Sequence, residues 1–154
     1  MLKVYLETTI PSYLASRPSR DVIVAAQQQV TLEWWENSRP KYDLFISEAV
    51  IDECQAGDPE AAKKRIGFVK DLPVLSITDD VIKLAEIYAK LLNIPDKAKV
   101  DAIHISIAVV YEMDYLITWN CTHLAHGEIR AALHRYNMQN GLYEPTIVTP
   151  FELL

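Results

Sequence analysis

The sequence predicts an α/β fold, a three-layer α/β/α sandwich built around a mostly parallel central sheet. Short apolar segments of strand type alternate with longer segments in which apolar residues recur at helical spacing. The strand segments read mainly as short apolar runs, which is typical of parallel strands covered by helices on both faces. The chain of 154 residues has the length of one ordinary domain and shows neither a repeat nor a linker, so we expect a single domain over residues 1–154.

The strands are predicted from short runs of aliphatic, β-branched and aromatic residues that are bounded by turn residues. The most apolar run begins at Tyr115 and reads YLITW, which indicates a buried strand near the centre of the sheet. In chain order, five strands are expected over residues 3–7, 43–47, 72–77, 115–119 and 146–149.

The helices are predicted from apolar residues at helical spacing, together with capping residues at their ends. Thr8, Thr9 and Pro11 supply cap and first-turn residues directly after the first strand, and Gly57 stops a short helix after the second. Residues 102–111 are almost wholly apolar, so we expect the helix that contains them to be buried centrally. In chain order, helices are expected after residue 8, over residues 21–37, from Ser47 to the stop at Gly57, from residue 58 onward, and over residues 78–92, 97–113 and 126–138.

The formal net charge of −6 at pH 7 argues against loose attraction of a whole surface to DNA or to an anionic membrane. Such attraction depends on clustered Lys and Arg side chains. The charge does not exclude nucleic acid as a substrate, provided that acidic residues hold a metal and local basic residues touch phosphate. Arg17, Arg20, Lys97 and Lys99 are candidates for the basic positions.

Three features predict a cytoplasmic protein that does not span a membrane. No apolar run approaches the ~18 residues needed to cross a bilayer. Lys3 and Glu7 fall where a signal peptide would carry its apolar stretch. The two cysteines, Cys54 and Cys121, show no disulfide or metal-binding spacing, which fits a reducing compartment, and we expect both to be small buried side chains.

The candidate functional residues lie where a parallel sheet places its ligand sites, near the carboxyl ends of strands. Glu7 ends the first strand, and Asn120 follows the fourth. Asp101 interrupts the buried helix, where an unpaired carboxylate is costly without a cation or hydrogen-bond donors. Glu53 and Asp52 lie on the helix after the second strand, about 100 degrees apart, so that one of them can face inward. Three carboxylates and one amide would make an all-oxygen cluster, which suits Mg²⁺ or Mn²⁺ better than zinc.

Four short segments carry these residues. They are Leu6-Glu7-Thr8-Thr9 after the first strand, Val50-Ile51-Asp52-Glu53 in the next helix, Val100-Asp101-Ala102-Ile103-His104 in the buried helix, and Leu116-Ile117-Thr118-Trp119-Asn120 at the fourth strand. Their order and spacing resemble the PIN domain family, which includes the VapC-type toxins of toxin–antitoxin modules. The resemblance spans essentially the whole chain.

The resemblance implies a parallel α/β/α sandwich that acts as a metal-dependent endoribonuclease, hydrolysing RNA phosphodiester bonds. Glu7, Glu53, Asp101 and Asn120 match the acidic quartet of the family and are the implied catalytic residues, the first three as ligands of Mg²⁺ or Mn²⁺. The family usually has Asp at the positions of Glu7 and Asn120 in this chain. Because Asn120 removes one negative charge, we expect weaker binding of a second ion.

Thr8 and Ser12 are expected to orient water or a phosphate oxygen, because both lie near the end of the first strand and the start of the following helix. The implied partners are an RNA substrate, an antitoxin protein and a second copy of the chain in a homodimer, with no membrane involved. A second class of function stays open, in which the PIN fold binds RNA or a protein with weak or no nuclease activity, since Glu7 and Asn120 depart from the pattern.

Several aromatic and histidine side chains have a structural interpretation beside a functional one. Tyr13, Trp34 and Trp35 have the chemistry to stack on RNA bases, but aromatic residues at helical spacing more often pack a core or a dimer face. His104 lies on the buried helix and is either a partner of the site or, as we favour, a core histidine. We expect His123, in the loop after the fourth strand, to have no role.

Overall fold

A computed structural model describes the whole chain, Met1–Leu154, and shows an α/β fold around one five-stranded sheet. The strands are β1 (Lys3–Leu6), β2 (Asp43–Ser47), β3 (Val74–Leu75), β4 (Tyr115–Ile117) and β5 (Thr146–Val148). Their order in the sheet is β3-β2-β1-β4-β5, and every neighbouring pair is parallel. The predicted fold class is confirmed, and the sheet is parallel throughout.

Seven α-helices connect the strands, and side chains cap several of their starts. The Ser47 hydroxyl accepts a hydrogen bond from the Val50 N–H, and the Thr78 hydroxyl accepts one from the Val81 N–H. Gly57 follows α3 with a φ of +82°, a left-handed conformation that favours glycine and ends the helix. The helices are α1 (Thr9–Ala15), α2 (Val22–Glu33), α3 (Glu48–Gln55), α4 (Pro59–Val69), α5 (Asp79–Leu91), α6 (Lys99–Val110) and α7 (Gly127–Gln139). None of them combines the length and the apolar character that a membrane span would need.

Several observed elements are shorter than predicted, and two of them show the physical reason. The helix predicted over residues 21–37 is α-helical only as α2, and it widens into a π-helical turn over Trp34–Ser38 that buries both of its tryptophans. The strand predicted over residues 72–77 shortens to the two residues of β3. This strand lies at the edge of the sheet and pairs with β2 alone, so few hydrogen bonds define it.

The burial of individual side chains tests what the sequence predicted for the tryptophans and the cysteines. Trp34 and Trp35 are buried in the core, which agrees with their structural interpretation rather than with base stacking. Cys54 is buried as expected, but the expectation was wrong for Cys121, which is exposed because it lies in the loop between β4 and α7. The predicted central helix, α6, is buried over most of its length.

The strand order places a crevice between β1 and β4. From β1 the chain builds β2 and β3 on one side, and it then crosses to build β4 and β5 on the other. Connections that leave neighbouring strands in opposite directions open a ligand crevice at the carboxyl ends of those strands. Glu7 directly follows β1 and Thr118 directly follows β4, so both residues lie at this crevice.

Candidate metal centre

Glu7 is a buried carboxylate that is held by three donors. Its side chain follows β1, and the residue is only 3% exposed. One oxygen, Oε1, accepts hydrogen bonds from the Thr9 N–H at 3.0 Å, from the Thr9 hydroxyl at 2.6 Å and from the Thr118 hydroxyl at 2.6 Å. All of these bonds end on Oε1, so the carboxylate is oriented by one oxygen and its Oε2 has no donor from the chain.

Glu53 faces the same site from α3, whereas its neighbour Asp52 is exposed to solvent. Glu53 Oε1 accepts a hydrogen bond from the Thr8 hydroxyl at 2.6 Å and lies 2.7 Å from His104 Nε2. Thr8 was predicted to orient water or phosphate, and here its hydroxyl is committed to Glu53. As in Glu7, the hydrogen bonds end on one oxygen and leave Oε2 free of protein donors.

His104 lies on α6, close to both glutamates, and is fully buried. Its Nδ1 lies 2.6 Å from the Tyr5 hydroxyl, which itself lies 2.7 Å from the Ser47 hydroxyl. Ligand-type atoms of Glu7, Glu53 and His104 all lie within 4.8 Å of one another. The cluster therefore contains two carboxylates and an imidazole, which differs from the all-oxygen cluster expected from the sequence.

The electrostatics of this cluster come from histidine rather than from lysine or arginine. Burial raises the pKa of Glu53, but the hydrogen bond and charge of His104 and the hydrogen bond from Thr8 outweigh it, so the pKa lies below its usual value. Burial lowers the pKa of His104, but the hydrogen bond with Glu53 and the charges of Glu7, Glu53 and Asp101 raise it above its usual value. Every ion pair of a carboxylate within 4.0 Å involves a histidine or the amino terminus.

Asp101 lies beside this cluster without belonging to it. The residue is in the first turn of α6, and its Oδ2 lies 2.8 Å from His123 Nδ1. It is absent from the group of ligand atoms within 4.8 Å, although it lies on the same helix as His104 and its charge contributes to the raised pKa of that residue. His123, for which we expected no role, is thus the direct partner of a predicted catalytic carboxylate.

Asn120 shapes the loop after β4. Its Oδ1 accepts hydrogen bonds from the Thr122 N–H at 3.2 Å and from the His123 N–H at 3.0 Å, which closes a turn. This turn presents His123 to Asp101. The hydroxyl of Ser12 makes no hydrogen bond with the chain. The roles in binding metal or substrate that the sequence predicts for Ser12, Asn120 and Asp101 stay predictions.

Sequence reasoning missed Thr9 and Thr118 as residues that hold the cluster, and for His104 it favoured a core role over a role as partner of the site. Thr9 and Thr118 orient Glu7, although only their positions beside strand ends pointed to them. His104 is buried, as a core histidine would be, but its partner is a carboxylate of the site. The available signal for His104 was its place one helical turn after Asp101, and that spacing did not identify the partner.

An aromatic pair borders the cluster. The ring of Tyr13 stacks on the ring of Trp119 with centroids 6.2 Å apart and planes 16° apart. The backbone N–H of Trp119 donates to the Thr9 hydroxyl, which in turn donates to Glu7, and the indole N–H donates to Thr31. Hydrogen bonds therefore fix Trp119 relative to the site at both its backbone and its ring.

The residues present fit a divalent cation of the Mg²⁺ or Mn²⁺ class. Such cations prefer carboxylate oxygens, and Mg²⁺ often uses only one or two carboxylates and keeps several waters. The chain offers two pre-oriented carboxylates, Glu7 and Glu53, whose Oε2 atoms have no protein donor. A cation would also supply the charge that the missing lysine and arginine side chains do not.

Comparisons with known proteins bear on the fold. No family model matches the chain, and no curated protein sequence matches it significantly. Among solved structures, the VapBC2 assembly of Rickettsia felis, bound to a DNA fragment from its promoter, has a chain with a TM-score of 0.55 and 13% identity, covering 96% of this chain and 98% of its own length. The VapC20 toxin of Mycobacterium tuberculosis, described as cleaving the sarcin-ricin loop, gives a TM-score of 0.55 and 15% identity. This match covers 77% of the present chain and 91% of the VapC20 chain.

At these identities the likeness concerns the fold. The chain has the PIN-like fold of VapC structures, so the resemblance inferred from its sequence is confirmed at the level of architecture.

Proposed function

We propose that the chain is a divalent-metal-dependent endoribonuclease, a single domain over residues 1–154 that acts as the toxin of a toxin–antitoxin pair. The observation that carries the proposal is the convergence of Glu7 and Glu53 at the carboxyl end of the sheet with no lysine or arginine to neutralise them. The PIN-like fold shared with VapC structures supports the same chemistry. An RNA substrate, an antitoxin partner, a homodimer and a cytoplasmic location belong to this proposal.

The side chains divide into those that would meet the cation and those that hold them. Glu7 and Glu53 would bind Mg²⁺ or Mn²⁺ through their Oε2 atoms, and Asp101 would complete the site at its edge. Thr9 and Thr118 keep Glu7 in place through its other oxygen. When bound, the cation supplies positive charge next to the phosphodiester and lowers the pKa of water. No covalent intermediate with the protein is required.

Cleavage of RNA by the purified, antitoxin-free protein tests this proposal. We expect cleavage with Mn²⁺ or Mg²⁺ and none with a chelator. Glu53→Gln keeps the size of the side chain but removes its charge, and we expect it to abolish cleavage, as we do for Asp101→Asn. The matched control is Asp52→Asn, which removes a charge from the exposed neighbouring residue and should leave cleavage unchanged. Metal-independent cleavage, or full activity of Glu53→Gln, would contradict the proposal.

A binding module with weak or no nuclease activity is the second candidate. Asp101 is paired with His123, and the side-chain oxygen of Asn120 is used by two backbone N–H groups. Asn120 is therefore the one quartet residue whose only side-chain oxygen is already used within the protein. Retention of RNA in a gel-shift assay without cleavage at saturating Mn²⁺ would favour this candidate.

A further inference from the structure

A chain of buried hydrogen bonds leads from the protein interior to Glu53, and the proposed reaction does not use it. Ser47 Oγ lies 2.7 Å from the Tyr5 hydroxyl, this hydroxyl lies 2.6 Å from His104 Nδ1, and His104 Nε2 lies 2.7 Å from Glu53 Oε1. Ser47, Tyr5 and His104 are all 0% exposed. The chain thereby connects β2, β1 and α6 to α3.

The donors and acceptors of this chain are satisfied when its bonds run in one direction. When His104 is neutral, the Val50 N–H donates to Ser47, the Ser47 hydroxyl donates to Tyr5, and the Tyr5 hydroxyl donates to His104 Nδ1. His104 Nε2–H then donates to Glu53. This last proton is present in both the neutral and the charged imidazole, so the bond to Glu53 does not depend on the charge of His104.

We propose that His104 is a positioning residue that, with Tyr5 and Ser47, holds the Glu53 carboxylate in the orientation a divalent cation needs. The inference rests on the proposed function. Glu53 Oε1 is held from two sides by Thr8 and His104, whereas Oε2 is left for a ligand. A carboxylate that is oriented before the cation arrives loses little side-chain freedom on binding. His104 does not itself bind the cation, because both of its nitrogens are engaged and its side chain is fully buried.

Mn²⁺ binding measured by titration calorimetry tests the inference on the full chain. His104→Leu removes the donor, and we expect Mn²⁺ to bind about 10- to 100-fold more weakly, the range typical of lost partners behind metal ligands. His104→Gln places an amide N–H near the position of Nε2, so we expect it to restore most of the affinity. Tyr5→Phe should fall between the two. The control His134→Gln alters an exposed histidine away from the site and should bind Mn²⁺ like the wild type.

Two results would overturn the inference while leaving the proposed function intact. The first is equal Mn²⁺ affinity of the wild type and a folded His104→Leu variant, with folding checked by circular dichroism. The second is a strong ¹⁴N coupling of a directly bound imidazole in the electron paramagnetic resonance spectrum of bound Mn²⁺. If the wild type binds no Mn²⁺, the proposed function fails instead.

The hydrogen bond is also testable without metal. In the metal-free protein we expect a slowly exchanging imidazole N–H resonance from His104 in the proton NMR spectrum, and we expect it to shift in Glu53→Gln. Its absence from the wild-type spectrum, or a position unaffected by that substitution, would refute the positioning role whatever the metal experiments show.

Discussion

The protein contains two histidine–glutamate pairs with similar distances and contrasting surroundings. His104 Nε2 lies 2.7 Å from Glu53 Oε1, and His134 Nδ1 lies 2.6 Å from Glu144 Oε2. The side chain of His104 is 0% exposed and that of His134 is 53% exposed, whereas the two glutamates are alike at 36% and 37%. The pairs therefore differ in the surroundings of the imidazole rather than in the contact itself.

This difference teaches that a short distance does not by itself measure an interaction. Water competes for both partners of the exposed pair, and exposed pairs contribute about 0–1 kcal/mol. His104 is fully buried, so a lost partner in its network leaves a polar group unsatisfied, which costs about 1–3 kcal/mol. Burial turns the same pair of residues into a constraint on the site.

The largest effect is expected from His104→Leu in the metal-free protein. The substitution leaves the buried Tyr5 hydroxyl without one of its two hydrogen-bond partners and Glu53 without one donor, so the free energy of unfolding should fall by about 1–3 kcal/mol. Urea unfolding followed by circular dichroism measures the change. A loss no larger than that of His134→Leu would break the comparison between the two pairs.

The pH dependence of that loss sharpens the comparison. The pKa of His104 is raised in the folded protein, so its contribution is complete below the usual value of 6.5 and is lost as pH rises through the folded pKa. The pKa of Glu53 is lowered, so its contribution is complete above the usual value of 4.5 and is lost as pH falls through the folded pKa. We expect the difference in unfolding free energy between wild type and His104→Leu to be greatest between these two values and smaller at pH 9. A difference that grows from pH 5.5 to pH 9 would contradict this sign.

An intermediate effect is expected from the pair of His123 and Asp101. Their side chains are 24% and 15% exposed, respectively. The exposure of His123 therefore lies between that of His104 and that of His134. His123→Leu should lower the unfolding free energy by about 1 kcal/mol, because one hydrogen bond of a partly buried carboxylate is lost. The same urea experiment measures it. A loss equal to that of His104→Leu would show that burial of the imidazole does not set the order.

The smallest effect is expected from His134→Leu. We predict a change below about 0.5 kcal/mol at physiological salt, because both partners are exposed and screened. Repeating the unfolding at low and high salt measures the screening. A salt-independent fall in unfolding free energy of more than about 1 kcal/mol would contradict this prediction, because the exposed pair would then behave like the buried pair.

Much of the fold follows from local signals in the chain. Capping by Ser47 and Thr78 and the stop at Gly57 were predictable because each acts within a few residues of itself. The length of β3 was not, since an edge strand is defined by its single neighbour rather than by its own composition. The π-helical turn after α2 likewise depends on how Trp34 and Trp35 pack in the core.

The candidate site shows the same division. The approach of Glu7 and Glu53 was predictable, because both follow parallel strands whose carboxyl ends lie at one edge. The pairing of His104 with Glu53 joins residues 51 positions apart, and that of His123 with Asp101 joins residues 22 apart. Such pairings are decided by how the helices pack against the sheet. Spacing along the chain does not predict that packing.

The hydroxyl of Thr9 connects the site to a fluorescent residue, Trp119. It accepts a hydrogen bond from the backbone N–H of Trp119 and donates one to Glu7, so two hydrogen bonds connect that carboxylate to the backbone of Trp119. Trp34 and Trp35 lie in the core and would form a constant background. The intrinsic fluorescence of Trp119 should therefore register events at the carboxylates in an unlabelled sample, on the timescale of a stopped-flow instrument.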